Sequence, residues 1–150
     1  MSNKTILKVA VNVPLSREFD YLPPQRGQSA SGHEGSETFV GCRVLVPFGR
    51  RQQVGVVLGR SAESDVPAAK LKQCSEVLDS EPLLSDNDLW LVRFVSNYYH
   101  HPIGEVVAAA LPTLLRQGLP LHPTIEKLLG TDLAAQTDVE ALVRRAPKQA

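Results

Sequence analysis

The sequence predicts an α+β domain: a small curled antiparallel sheet of barrel-like form, followed by helices. Three observations carry this. Apolar residues alternate with period 2 from Leu7 to Leu15. Two strand-like runs, VGCRVLVPFG and VGVVLG, flank a short polar RRQQ segment. After Pro82 the apolar period becomes helical. With 150 residues, 43% of them apolar, the chain can build one core and a short appendage.

Leu7, Val9, Val11, Val13 and Leu15 describe a half-buried strand, and Pro14 marks an edge position or a bend. REFDYL follows, then PPQRGQ as a turn. Residues 27–38, rich in Gly and Ser, read as a loop between strands. In the next strand Val44 and Val46 share one face and Arg43 takes the other. RRQQ is expected as the turn of a hairpin, with Gly49, Gly55 and Gly59 at bends or close approaches. LKQCSEVL, residues 71–78, fits a further strand only loosely.

Ser85 followed by Asp88 fits a capping box. The helix behind it spaces Leu91, Val95 and Tyr98 along one face and Trp90, Phe94 and Tyr98 along an adjoining stripe. Core packing is the expected role of those aromatics. Pro102 suits the first turn of a second helix, which Pro112 ends. From about residue 116 the pattern loosens, with a short helical run at IEKLLG and a helix from Thr137 through Arg145. The division expected is 1–115 as one domain and 116–150 as a linker with part of a second, as in a chain cut inside that domain.

Lys plus Arg equals Asp plus Glu at 16 each, which excludes a polybasic arm. The charge is uneven. Residues 1–60 carry 8 cations against 4 anions, and residues 61–110 carry 3 against 8, which fits either an ordinary solvated surface or a basic face built by the first segment. Cys42 and Cys74 form no CxxC pair, which fits a reducing compartment. No apolar run reaches the ~18 residues of a membrane span, and no leader pattern is visible at the N-terminus. A soluble cytoplasmic protein without a membrane partner is expected.

No GxxxxGK[ST], GxGxxG or GxSxG motif is present. His100 and His101 are adjacent and diverge by about 100° on a helix, so with His33 and His122 they read as surface or helix-end residues. Asp79, Glu81, Asp86 and Asp88 flank turns and a cap. No catalytic or metal-ligating residue is expected. A hydrolase with a hidden His/carboxylate site would require His100 or His101. Two binding readings stay open: single-stranded nucleic acid, with Phe19 beside Asp20 and cations Arg50 and Arg51 at the hairpin tip, or an SH3-like protein-interaction module.

The strings REFDYLPP, GCRVLVPFG, VGVVL, LKQCSEVLDSEPLL and NYYHHPIGEVVAAALPTLLRQG occur in this order between residues 8 and 118. Together they resemble the amino-terminal part of the bacterial primosomal protein N′ family, the PriA replication-restart helicases. TDVEALVRRAPKQA resembles the opening of that family's winged-helix domain, and the 27–38 loop is longer than the family's usual connection. The resemblance implies a 3′-DNA-binding domain that holds the 3′ end of the nascent leading strand at a stalled fork, without base selection. It carries over Phe19, Asp20, Gly49 and Lys72 as the residues binding that terminus; Arg50 and Arg51 are expected as further DNA backbone contacts from their charge at the hairpin tip alone. ATP, Mg and Zn belong to parts of the family's full-length members outside this chain, so no cofactor is expected here. The implied partners are fork DNA and, through the full-length protein, single-strand-binding protein and other primosome components, at replication forks on the nucleoid.

Overall fold

The computed structural model describes residues 5–25 and 39–121. The chain divides into two compact units, Met1–Pro120 and Leu121–Ala150. The 27–38 loop, His33, His122, the 137–145 helix and the winged-helix opening lie outside the described residues.

The first unit is α+β. Its strands are β1 (Ile6–Val11), β2 (Phe19–Leu22), β3 (Arg43–Phe48), β4 (Arg51–Ser61), β5 (Lys72–Gln73) and β6 (Glu76–Val77), and its helices are α1 (Asp86–Tyr99), α2 (Ile103–Ala110) and α3 (Thr113–Arg116). The sheet order is β5-β2-β1-β4-β3-β6. It is not wholly antiparallel, because β5 joins β2 in parallel.

β1 is central and covered on both sides. Leu7, Val9 and Val11 point into the concave face with Tyr21, Val44, Val46, Val57, Cys74 and Val77. Ala10, Val56 and Leu58 lie on the other face under Leu89 and Val92 of α1 and Ile103 and Val107 of α2. The expected half-buried strand is therefore buried at every position but Lys8 and is shorter, and Leu15 is exposed. Pro14 marks a bend, not an edge. Val13, Leu15 and Arg17 each donate their N–H to the carbonyl two residues back, at 2.8 Å, a run of tight turns that ends the strand. The β1–β4 register shifts between Lys8 and Val9, whose partners are Gly59 and Val57. Such a bulge bends the strand and supports the curl.

The β3–β4 turn is tighter than expected. Phe48 pairs with Arg51, leaving only Gly49 and Arg50 to turn, so most of RRQQ belongs to β4. Gly49 has φ +60, which a glycine adopts at the first turn position without strain. REFDYL contains a strand that the sequence reading leaves undescribed, and LKQCSEVL forms two two-residue strands instead of one. Arg43 is wholly buried, and Asp79, expected beside a turn, is nearly so. The Arg43 guanidinium donates to both Asp79 oxygens and to the Leu115 and Leu119 carbonyls, tying the sheet to α3 and the segment after it.

The capping box is present. Ser85 Oγ accepts from Asp88 N–H at 3.3 Å, and Asp88 accepts from Ser85 N–H at 2.9 Å. The Ser85 hydrogen bonds hold the Asp88 carboxyl below its ordinary range. His100 closes α1 in the left-handed conformation. The buried stripe of α1 is Leu89 and Val92, so Leu91 and Tyr98 face outward, contrary to expectation. Gly104 lets α2 touch β1, since a Cβ there would sit 1.7 Å from the Val11 carbonyl oxygen.

Candidate nucleic-acid interface

A cavity of about 500 Å³ opens where β2 begins, beneath α1. Phe19 and Asp20 both line it. Their side chains leave opposite faces of β2, because successive strand residues alternate. Phe19 packs toward the concave core beside Phe48, with ring centroids 5.0 Å apart and edge to face. Asp20 points to the helical side, opposite Lys8 in the β1–β2 register.

Asp20 is held from two directions. Lys8 Nζ lies 2.8 Å from Oδ1, and the Asp20 side chain is only 7% exposed. The Ser64 hydroxyl donates to Oδ2 at 2.5 Å and itself accepts from Val66 N–H at 3.0 Å. The loop after β4 thus walls the cavity, adding Asp65 and Val66 to its lining. On the far side Arg93 of α1 pairs with Glu18 and donates to the Leu58 carbonyl at 3.1 Å. The Arg17 guanidinium lies 5.0 Å from the centre of the Phe19 ring. The cavity therefore combines the Phe19 ring, three carboxylates (Glu18, the anchored Asp20 and Asp65) and three cations, Lys8, Arg17 and Arg93.

Gly49 and Lys72 do not line this cavity. Gly49 directly follows Phe48, whose ring touches Phe19. Lys72 is exposed on β5 and pairs with Tyr21, the neighbour of Asp20. Both stand outside the cavity lining, each one step in chain or register from a residue next to Phe19 or Asp20. Arg50 and Arg51 are exposed at the hairpin tip. Lys8, Arg17, Ser64 and Arg93 are absent from the sequence-based set. Arg17 stands two residues before FDYL, whereas Lys8 meets Asp20 only through the β1–β2 pairing, and Ser64 and Arg93 reach their partners across 44 and 75 residues.

The aromatic stripe of α1 is not core. Trp90, Phe94 and Tyr98 are 65%, 46% and 67% exposed. Their rings stack in a ladder at 5.4 and 5.6 Å. Cys42 and Cys74 are buried free thiols, as the sequence suggests. Burial pushes Cys74 up to about 12, and burial with nearby Asp79 pushes Cys42 up to about 11. His101 pairs with Glu105 at 2.9 Å on the surface. Among the described residues, no three His, Cys, Asp or Glu side chains gather as a metal site would require. Among them, too, no helix is long and apolar enough to cross a membrane.

Residues 8–112 match a family described as the 3′DNA-binding domain of PriA. The chain is 38% identical over 113 residues to the replication restart protein PriA of Haemophilus influenzae, covering 75% of the chain and 14% of that relative. It is 30% identical over 115 residues to the PriA of Treponema pallidum, covering 74% and 16%. With the PriA of Bacillus subtilis the identity is 27% over 124 residues, covering 76% and 14%. The chain thus spans roughly a seventh of the length of these curated relatives.

Proposed function

The chain belongs to the PriA 3′DNA-binding domain family, and from that membership we propose that its cavity receives the free 3′ end of a nascent DNA strand at a stalled replication fork. The observation that supports this most directly is the pairing of a cavity-lining aromatic, Phe19, with an almost buried carboxylate, Asp20.

A ring face stacks on any base, contributing about 1–3 kcal/mol per base without reading sequence. A carboxylate beside a polyanion is unfavourable unless it accepts hydrogen bonds, and a terminal 3′-hydroxyl is a donor. Asp20 has acceptor capacity left beyond Lys8 and Ser64, since two carboxylate oxygens offer about four lone-pair sites. A 3′-phosphate in the same place would set two anions against each other. The recognition is therefore of a chemical end, not of a base. Gly49 and Lys72 act from outside the cavity lining, Gly49 by admitting close backbone approach and Lys72 by meeting a sugar or phosphate oxygen. Arg50 and Arg51 add backbone contacts at the hairpin tip.

On this reading the chain contributes binding. It places a parent helicase at the fork for primosome assembly, and the ATP-driven unwinding belongs to other parts of that parent. Single-strand-binding protein and other primosome proteins are partners of the full-length protein in the same proposal. A protein-interaction role has one observation in its favour, the exposed ladder on α1. That ladder lies along a helix and, with Arg93 and Asn97, lines an open depression of about 520 Å³.

The test is fluorescence anisotropy at two salt concentrations, with short single strands ending in a 3′-hydroxyl or a 3′-phosphate. A hydrogen bond to a charged group contributes about 1.5–3 kcal/mol. The hydroxyl end should therefore bind about 10- to 100-fold more tightly, and Asp20→Ala should remove most of that preference. Equal binding of both ends by the wild type would overturn end recognition.

A further inference from the structure

We infer that Arg17 is the phosphate-binding residue of this cavity, contacting the phosphodiester that joins the last two nucleotides. The inference rests on the end-binding reading above and adds to it the residue that meets the strand's charge.

The argument is one of elimination among the cations that line the cavity, Lys8, Arg17 and Arg93. Lys8 is committed to Asp20 at 2.8 Å. Arg93 is committed to Glu18 and to the Leu58 carbonyl. Turning either one to a phosphate would strand a carboxylate against the same polyanion. Arg17 is exposed and has no carboxylate partner among the described residues. Its one ring contact is with Phe19, the platform proposed for the terminal base.

That placement gives Arg17 two states. In the free protein the guanidinium covers the Phe19 ring, a cation–π contact that hides an apolar face from water. When a base stacks on Phe19, the guanidinium is displaced toward the rim, where the strand's backbone leaves the cavity. Its planar fork then donates to two phosphate oxygens, a geometry an ammonium does not reproduce. The Arg17 backbone is fixed meanwhile by the turns at Val13, Leu15 and Arg17 itself, so only the side chain moves. Asp20 selects the end, and Arg17 supplies a salt-dependent share of the affinity.

The experiment is a double cycle. Wild type and Arg17→Met, which keeps an apolar side chain over Phe19, are titrated with strands ending in a 3′-hydroxyl. The last linkage is either an ordinary phosphodiester or a neutral methylphosphonate. Losing a charge-assisted contact should weaken wild-type binding about tenfold when the linkage is neutral. The same change should cost Arg17→Met little. The log affinity against log salt slope of Arg17→Met on the ordinary strand should fall by about 0.7. Arg17→Lys should restore the slope and only part of the affinity. Arg116→Gln, which removes a cation on α3, should leave the cycle unchanged. An equal penalty for the neutral linkage in wild type and Arg17→Met would overturn the assignment. Failure of the end-binding reading shows separately, as equal affinity of the wild type for 3′-hydroxyl and 3′-phosphate strands.

Discussion

Asp79→Asn should cost this domain a large part of its stability. Arg43 is 0% exposed and Asp79 is 8% exposed, so neither charge is solvated. Arg43 Nη2 lies 2.5 Å from Oδ1, Nε lies 3.0 Å from Oδ2, and the Arg43 backbone N–H donates to Oδ2 at 2.8 Å. Nη1 donates to the Leu115 and Leu119 carbonyls at 2.8 and 2.7 Å. An amide in place of the carboxylate keeps the shape and removes the counter-charge. Breaking a buried pair in this way costs about 3–5 kcal/mol, against about 5–15 kcal/mol for a whole domain. With a urea slope of about 1–3 kcal/mol per molar, the midpoint should drop by about 2 M. Replacing both residues with apolar ones should not rescue it fully, although many buried pairs tolerate that exchange. Here the Leu119 carbonyl and the Arg43 N–H would lose these partners, at about 1–3 kcal/mol for each group left unsatisfied, while the Leu115 carbonyl would keep the Gly118 N–H at 3.1 Å. Urea titration followed by far-ultraviolet circular dichroism measures both variants. A midpoint shift under about 0.5 M for Asp79→Asn would refute the buried-charge argument.

The chain's one tryptophan, Trp90, is 65% exposed, so its emission should be red-shifted and readily quenched by acrylamide, and Trp90→Ala should change stability by only about 0.5 kcal/mol; protected, blue-shifted emission would return the aromatic stripe to the core. Alkaline pH should destabilise the domain. Tyr21 and Cys74 are pushed up to about 12 and Cys42 to about 11, by burial in each case, with Cys74 adding to the shift of Tyr21 and Asp79 to that of Cys42. Raised values mean the folded state keeps protons that the unfolded state has released. Their contribution is whole below the thiols' ordinary 9.0 and is lost as pH rises toward about 11–12, at about 1.4 kcal/mol per pH unit for each thiol. Urea midpoints from pH 8 to pH 11 check this, and Cys74→Ala should flatten the fall; a wild-type midpoint that does not move above pH 9 would contradict it.

What the sequence disclosed depends on how local each signal is. The β3–β4 hairpin, the Ser85–Asp88 box and Pro102 before α2 are set by neighbours in the chain, and all are present. β2 is four residues with a charge in the middle, too short and too polar for a periodicity argument. Arg43 and Asp79 resembled surface charges because only their long-range partnership makes burial tolerable. On α1, both the Leu89–Val92 stripe and the aromatic stripe have helical spacing, and only the sheet packed below decides which is inside. The candidate site follows the same rule. Phe19 and Asp20 were legible through FDYL, whereas Ser64 and Arg93 are brought to them by the closing of the sheet and the docking of α1.

The site is in that sense a by-product of the core's register. Leu7 pairs with Tyr21, Lys8 with Asp20 and Val9 with Phe19. Leu7, Val9 and Tyr21 are wholly or nearly buried in the concave core, and Phe19 packs against them. A slip of one residue would turn that set toward the helical face and drive Asp20 and Lys8 into the concave core, since side chains alternate with a period of two. Burial of the apolar residues therefore fixes Asp20 on the helical side, facing Lys8 and within reach of Ser64. The free energy that holds the carboxylate in place comes from residues that need never touch DNA. On the proposed function, substitutions at Leu7 or Val9 should alter end selection only by unfolding the strand, whereas Asp20→Ala should change it in a folded domain. Separating those two effects requires binding to be normalised to the folded fraction for every variant of β1 and β2.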